Sequence, residues 1–206
     1  DPDVAASLTH LGSLFQEQGR LAEAEPLLRR ALAIDEKALS EGDPDRAPTL
    51  LNLGGLYREQ GRLAEAEALY KRALAIREKA LPEGHPDIAG SLGHLGGLYQ
   101  ELDRKTEAEA LYRQALAIRE KALPEGHPDI AGSVSALAGV YRDQGQLAEA
   151  ERMCKRALAM REKTLPEGHP DIGGSMSMLA SIYQDQGRLA EAEQMFKGDL
   201  AITEKT

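Results

Sequence analysis

The chain has 206 residues, 42% of them apolar, with no Trp and only two Phe, Phe15 and Phe196. A formal charge of −9 repels phosphate backbones and argues against nucleic acid as a partner. No window holds the 18 or so uninterrupted apolar residues of a membrane span, so no membrane partner and a soluble chain are expected.

The same unit recurs along the chain. Asp1-Pro2-Asp3, Asp43-Pro44-Asp45, His85-Pro86-Asp87, His127-Pro128-Asp129 and His169-Pro170-Asp171 follow one another at intervals of 42 residues. They frame five units: 1–42, 43–84, 85–126, 127–168 and 169–206. Residues 73–91 are identical to 115–133, the mark of recent duplication or of a designed consensus. The chain opens on Asp1 without an initiator Met or a signal-peptide pattern, as a piece of a longer protein would. A single cysteine, Cys154, excludes an internal disulfide and fits a reducing, cytoplasmic compartment.

Each unit predicts two helices. The first runs from the Pro of the triplet to "LYREQ" or its equivalent, with Leu8, Leu11, Leu14 and Phe15 at helical spacing on one face in the first unit. Gly19, Gly61, Gly145 and Gly187 stand where that helix must end, because glycine takes a left-handed C′ conformation cheaply. Asp103 replaces glycine in the third unit and tolerates that geometry next best. The second helix runs from "LAEAE" to "REKAL". In the first unit it places Glu23 and Glu25 early and Lys37 late, which suits the helix dipole. Glu25–Arg29, Glu67–Lys71, Glu109–Arg113, Glu151–Lys155 and Glu193–Lys197 are i,i+4 pairs in the favourable order. Pro26 is expected in the first turn, where its missing N–H would not matter.

The repeated "LPEGHPDIAGS" reads as punctuation. Pro82 stops one helix, Glu83-Gly84 turns the chain, His85 caps the next helix, and Pro86 and Asp87 occupy N1 and N2. Helices pack about 8–10 Å apart, so histidines from successive two-helix units are too far apart to share a zinc ion at about 2 Å from each nitrogen. Neither metal site nor catalytic residue is expected, and no cofactor. "GSLGHLGG" lies within a helix rather than after a strand, which is the wrong context for a phosphate loop.

The pattern "LxxLGxLYxxQGRLAEAExLxxRALAI" resembles the tetratricopeptide repeat. Leu11-Gly12, Leu53-Gly54 and Leu95-Gly96 match its first helix, helix A, and Leu137-Ala138 and Leu179-Ala180 keep a small residue there. Phe15, Tyr57, Tyr99, Tyr141 and Tyr183 fill its aromatic position. Ala24/Ala31, Ala66/Ala73, Ala108/Ala115 and Ala150/Ala157 fill the two alanine positions of helix B. The 42-residue period, "AEPLLRRALAI" and "HPDIA" make the kinesin-light-chain type the best match. The resemblance implies a single all-α domain over 1–206, a right-handed α-solenoid of five antiparallel helix pairs. Stacked pairs bury what one pair cannot. Cys154 aligns with Leu28, Tyr70, Tyr112 and Phe196 and is expected in the core.

The resemblance also implies a concave groove lined by the A helices, with four facing positions in each. The first holds Ala6, Pro48, Gly90, Gly132 and Gly174. The second holds His10, Asn52, His94, Ala136 and Met178. The third holds Ser13, Gly55, Gly97, Gly139 and Ser181. The fourth holds Glu17, Glu59, Glu101, Asp143 and Asp185, a rim of acids that would attract a basic segment, partly offset by Arg58 and Arg142. The paired Asn of kinesin light chain survives only as Asn52, and the Lys and Asn constellation that clamps a chaperone carboxylate is missing. Either departure argues against the ligands of those relatives.

The last unit differs from the others. "KGDLAITEKT" stands where the fourth unit has "KRALAMREKT", so Gly198 falls mid-helix and Asp199 replaces a core alanine. An Asp buried without a partner is costly, so this helix is expected to be frayed or terminal. Phe196, Leu200 and Ile202 would leave an apolar end face open to self-association. The functional expectation is a non-enzymatic scaffold that holds another protein or peptide. The alternative, which rests on bacterial relatives of the family, is a sensory arm of a larger signalling ATPase or protease.

Overall fold

The computed structural model describes residues 1–204. Among them are ten α-helices: α1 Pro2–Glu17, α2 Leu21–Ala38, α3 Ala47–Glu59, α4 Leu63–Ala80, α5 Pro86–Glu101, α6 Lys105–Ala122, α7 Pro128–Asp143, α8 Leu147–Thr164, α9 Pro170–Asp185 and α10 Leu189–Thr203. Odd-numbered helices are the A helices and even-numbered ones the B helices. Two compact units divide the chain, Asp1–Leu102 and Asp103–Thr206. In the first, α1 packs on α2, α2 on α3, α3 on α4 and α4 on α5. In the second, α6 packs on α7, α7 on α8, α8 on α9 and α9 on α10.

The triplets cap the A helices. The amide N–H two residues on donates to Asp1 Oδ1 at 3.0 Å and to Asp43 Oδ1 at 3.1 Å. It donates to Nδ1 of His85, His127 and His169 at 3.2 Å in each case. Each imidazole nitrogen is therefore occupied by a backbone donor that would otherwise lack a partner. The second triplet opens a short 3₁₀ turn, Pro44–Arg46, before α3. Pro48 has no N–H to bond back to the Pro44 carbonyl, and the Ala47 N–H bonds it instead.

Gly19, Gly61, Gly145 and Gly187 take φ between +71° and +76°, and Asp103 takes +58°, as their place after the A helix requires. All five Glu–Lys/Arg pairs of the B helices form, at 2.5–3.4 Å. Pro26 corrects the sequence reading. It lies five residues after Leu21, where α2 begins, so it is past the first turn. Its ring removes the bond to the Ala22 carbonyl, and exposure on the outer face lets α2 continue.

Hairpin packing depends on small residues facing large ones. A Cβ on Gly12 would lie 2.7 Å from Leu28 Cγ, and one on Gly54 would lie 2.6 Å from Tyr70 Cε1. In the fourth hairpin Cys154 takes the place of that large side chain, and the facing residue is Ala138; both are buried. The Cys154 Sγ–H donates to the Ser175 carbonyl at 3.4 Å, and burial pushes the thiol up to about 11. The helix-B alanines Ala24, Ala31, Ala66, Ala73, Ala108, Ala115, Ala150 and Ala157 are all fully buried.

The last hairpin also corrects the sequence reading, because α10 runs unbroken through Asp199 to Thr203. Asp199 is half-buried and accepts a hydrogen bond from the Ser177 hydroxyl. Its carboxylate fills the space a Cβ on residue 173 would need, and residue 173 is Gly where the preceding hairpins have Ala. Asp199, Gly173 and Ser177 thus form a compensated set.

Candidate binding wall on the A helices

Side chains at the first, second and fourth sequence-predicted positions are mostly exposed or half-exposed along one side of the A helices, and those at the third are half-buried. In the first compact unit His10 and His94 are exposed and Asn52 is half-buried. Among the described residues, Asn52 finds no side-chain partner. His94 leans on Tyr70, ring centroids 5.4 Å apart and tilted by 37°. A Cβ on Gly93, Gly132 or Gly174 would meet nothing within 4 Å, so these glycines are not dictated by packing within the chain. Gly55 differs, since a Cβ there would come 3.4 Å from the Gln16 amide nitrogen. In the second compact unit Met178, Ala136, Gly139 and Ser181 are half-buried, and the Ser181 hydroxyl donates to the Ser177 carbonyl at 3.0 Å.

The acidic rim is more nearly neutral than residue order suggests. Gln16 donates to Glu59 at 2.6 Å, and Arg58 reaches Glu101 at 2.6 Å. In the second compact unit Arg142 reaches Asp185 at 2.5 Å. Each donor lies 43 residues before its acid, so one hairpin's rim residue is paired with the next hairpin's acid. Arg58 and Arg142 therefore neutralise particular carboxylates instead of diluting the whole rim. Glu17 has no such donor before it, and Glu59 has only a neutral one.

A second line of polar contacts was not anticipated from the residue order. Glu25 of α2 accepts from Arg62 Nη1 at 2.9 Å and Gln60 Nε2 at 3.2 Å, both in the turn between α3 and α4. Glu151 accepts from Arg188 at 2.7 Å and Gln186 at 3.0 Å in the same way. The same arginines stack on the aromatic position, Arg62 over Tyr57 at 3.7 Å and Arg188 over Tyr183 at 4.2 Å. The signal was available in "QGR", which recurs at that place in the first, second and fifth units. At the other helix end Arg77 donates to Ser91 at 3.0 Å, and Arg119 and Arg161 donate to Ser133 and Ser175. The first junction inverts this polarity, with Thr49 donating to buried Asp35 at 2.7 Å.

The family model for the tetratricopeptide repeat matches residues 3–79, 45–121 and 129–204. The chain belongs to the tetratricopeptide repeat family. Its repeats are of the 42-residue, kinesin-light-chain type. A Podosopora anserina kinesin-light-chain-like protein of nearly identical TPR-like repeats is 32% identical over 100% of this chain and 97% of that one, with a TM-score of 0.82. A variant form of that protein gives 32% identity, 99% and 96% coverage, and a TM-score of 0.84. BtubC (BKLC) of P. vanneervenii is 26% identical over 99% of this chain and 81% of its own, with a TM-score of 0.85. No curated protein matches the chain. Tetratricopeptide repeats are an all-α solenoid fold that mediates protein–protein interaction. No helix among the described residues is long and apolar enough to cross a membrane.

Proposed function

We propose that the five repeats, 1–42, 43–84, 85–126, 127–168 and 169–206, act as one non-enzymatic interaction domain. The A-helix wall holds a segment of another protein. The observation that carries this reading is Asn52, a half-buried amide without a partner on a wall otherwise cut down to glycine and small residues. An amide donates and accepts at once, which suits a peptide backbone, and glycine lets that backbone approach closely. His10 and His94 flank it at the same position of neighbouring A helices and add polar contacts. Glu17 and Glu59 favour basic residues at one end of the segment, while Arg58–Glu101 presents a neutral pair beyond. The outer face of α10 exposes Leu189, Phe196 and Leu200 around a cleft of about 380 Å³, and we assign it a capacity for self-association.

A random peptide library displayed against the folded chain tests the wall. Selected peptides should lose about tenfold in affinity against Asn52→Ala/His94→Ala, the scale of two or three hydrogen bonds. Peptides that bind the double variant undiminished would refute the assignment.

A further inference from the structure

One position of the B helices changes from repeat to repeat: residues 72 and 156 are Arg, residue 114 is Gln and residue 198 is Gly. Arg72 of α4 reaches Glu36 of α2 at 2.8 Å, and Arg156 of α8 reaches Glu120 of α6 at 2.5 Å. Both pairs join a B helix to the next B helix, 36 residues on. The last hairpin is built to make the same pair, since Glu162 of α8 stands 42 residues after Glu120. Residue 198 of α10, however, 42 residues after Arg156, is Gly. Met176 lies against it, with Sδ 2.9 Å from where a Cβ would stand. Among α8, α9 and α10 there remains a cleft of about 640 Å³, lined by Glu162, Glu167, Ile172, Met176, Ala201 and Ile202. None of these residues belongs to the A-helix wall.

Two carboxylates over an apolar floor define the ligand. An arginine lays its methylene stem on apolar surface while the planar guanidinium takes a carboxylate through two N–H groups. At two other junctions Glu at this position accepts from an arginine Nη of the next B helix within the same chain. We infer that the cleft is a docking site for an arginine side chain presented by another protein, seated where two other junctions seat their own. An exposed pair alone contributes little, so the arginine must arrive on a segment that also contacts the apolar floor, which excludes the free amino acid as ligand.

Titration of the ¹⁵N-labelled chain with acetyl-Ala-Arg-Ala-amide, its citrulline counterpart and free arginine tests this. The arginine tripeptide should give saturating shifts at the Gly168 and Gly198 amides, with citrulline and free arginine each about tenfold weaker, the scale of a charge-assisted hydrogen bond. Glu162→Gln should weaken the arginine peptide by the same factor, and Gly198→Arg, which supplies the side chain in cis, should abolish its effect. Shifts that do not saturate, equal response to the citrulline peptide or to free arginine, or undiminished shifts in Glu162→Gln would overturn the inference.

Discussion

Replacing Gly54 with Ala sets two effects against each other. Helix propensity alone favours Ala by about 0.8–1.0 kcal/mol. The new Cβ, however, would stand 2.6 Å from Tyr70 Cε1 and 2.8 Å from Cδ1. Tyr70 is 1% exposed, so its ring has no solvent to swing into and must press on its neighbours. Overpacking of this kind costs about 1–3 kcal/mol, so the variant should be destabilised by about 1–2 kcal/mol net. Tyr70→Cys alone should cost about 3–5 kcal/mol as an aromatic truncation. Combining the two copies Ala138 and Cys154 of the fourth hairpin, where the methyl has room. The double variant should then be more stable than Tyr70→Cys alone, with a coupling energy of about 1–3 kcal/mol. Urea denaturation followed by far-ultraviolet circular dichroism reads these as midpoint shifts at constant m. A higher midpoint for Gly54→Ala in the wild-type background, or strict additivity, would refute the packing argument.

Gly173→Ala alone should lower the melting temperature, because its methyl meets the Asp199 carboxylate; with Asp199→Ala added, the gain should reach about 1 kcal/mol over wild type, and calorimetry would show whether the order is reversed. Cys154, pushed up to about 11 by burial, should be thiolate in only about one molecule in a thousand at pH 8. Labelling by a chromogenic disulfide should therefore follow unfolding, and rapid native labelling would contradict this. The Arg62 hydrogen bond, helped by Gln60 and against the effect of burial, holds Glu25 below its ordinary 4.5. A depressed folded value means that the stabilisation is complete above 4.5 and is lost as pH falls through the lower folded value. Denaturation midpoints of Glu25→Gln should vary less with pH below 4.5 than those of wild type, and parallel curves would exclude the linkage.

Local chemistry was legible before any coordinates. Pro at N1, a cap before it and a left-handed residue after Glu17, Glu59 or Asp143 each act within a few residues, so the residue string alone places them. Core alanines were legible because the same letters return every 42 residues on one helical face. Contacts between hairpins were not. Arg58 meets Glu101 and Glu25 meets Arg62 because of how one hairpin stacks on the next, and no periodicity of single residues encodes that distance. Asp199 illustrates the difference: read alone it disrupts a core, whereas read with Gly173 and Ser177 it is accommodated. Pro26 was misplaced for a simpler reason: counted from Leu21, where α2 begins, it lies past the first turn.

The most direct test of the A-helix wall is amide hydrogen exchange on the chain with and without a library-selected peptide. The account predicts added protection in α1, α3 and α5 around His10, Asn52 and His94. Protection confined to the B helices, or to the outer face of α10, would contradict it.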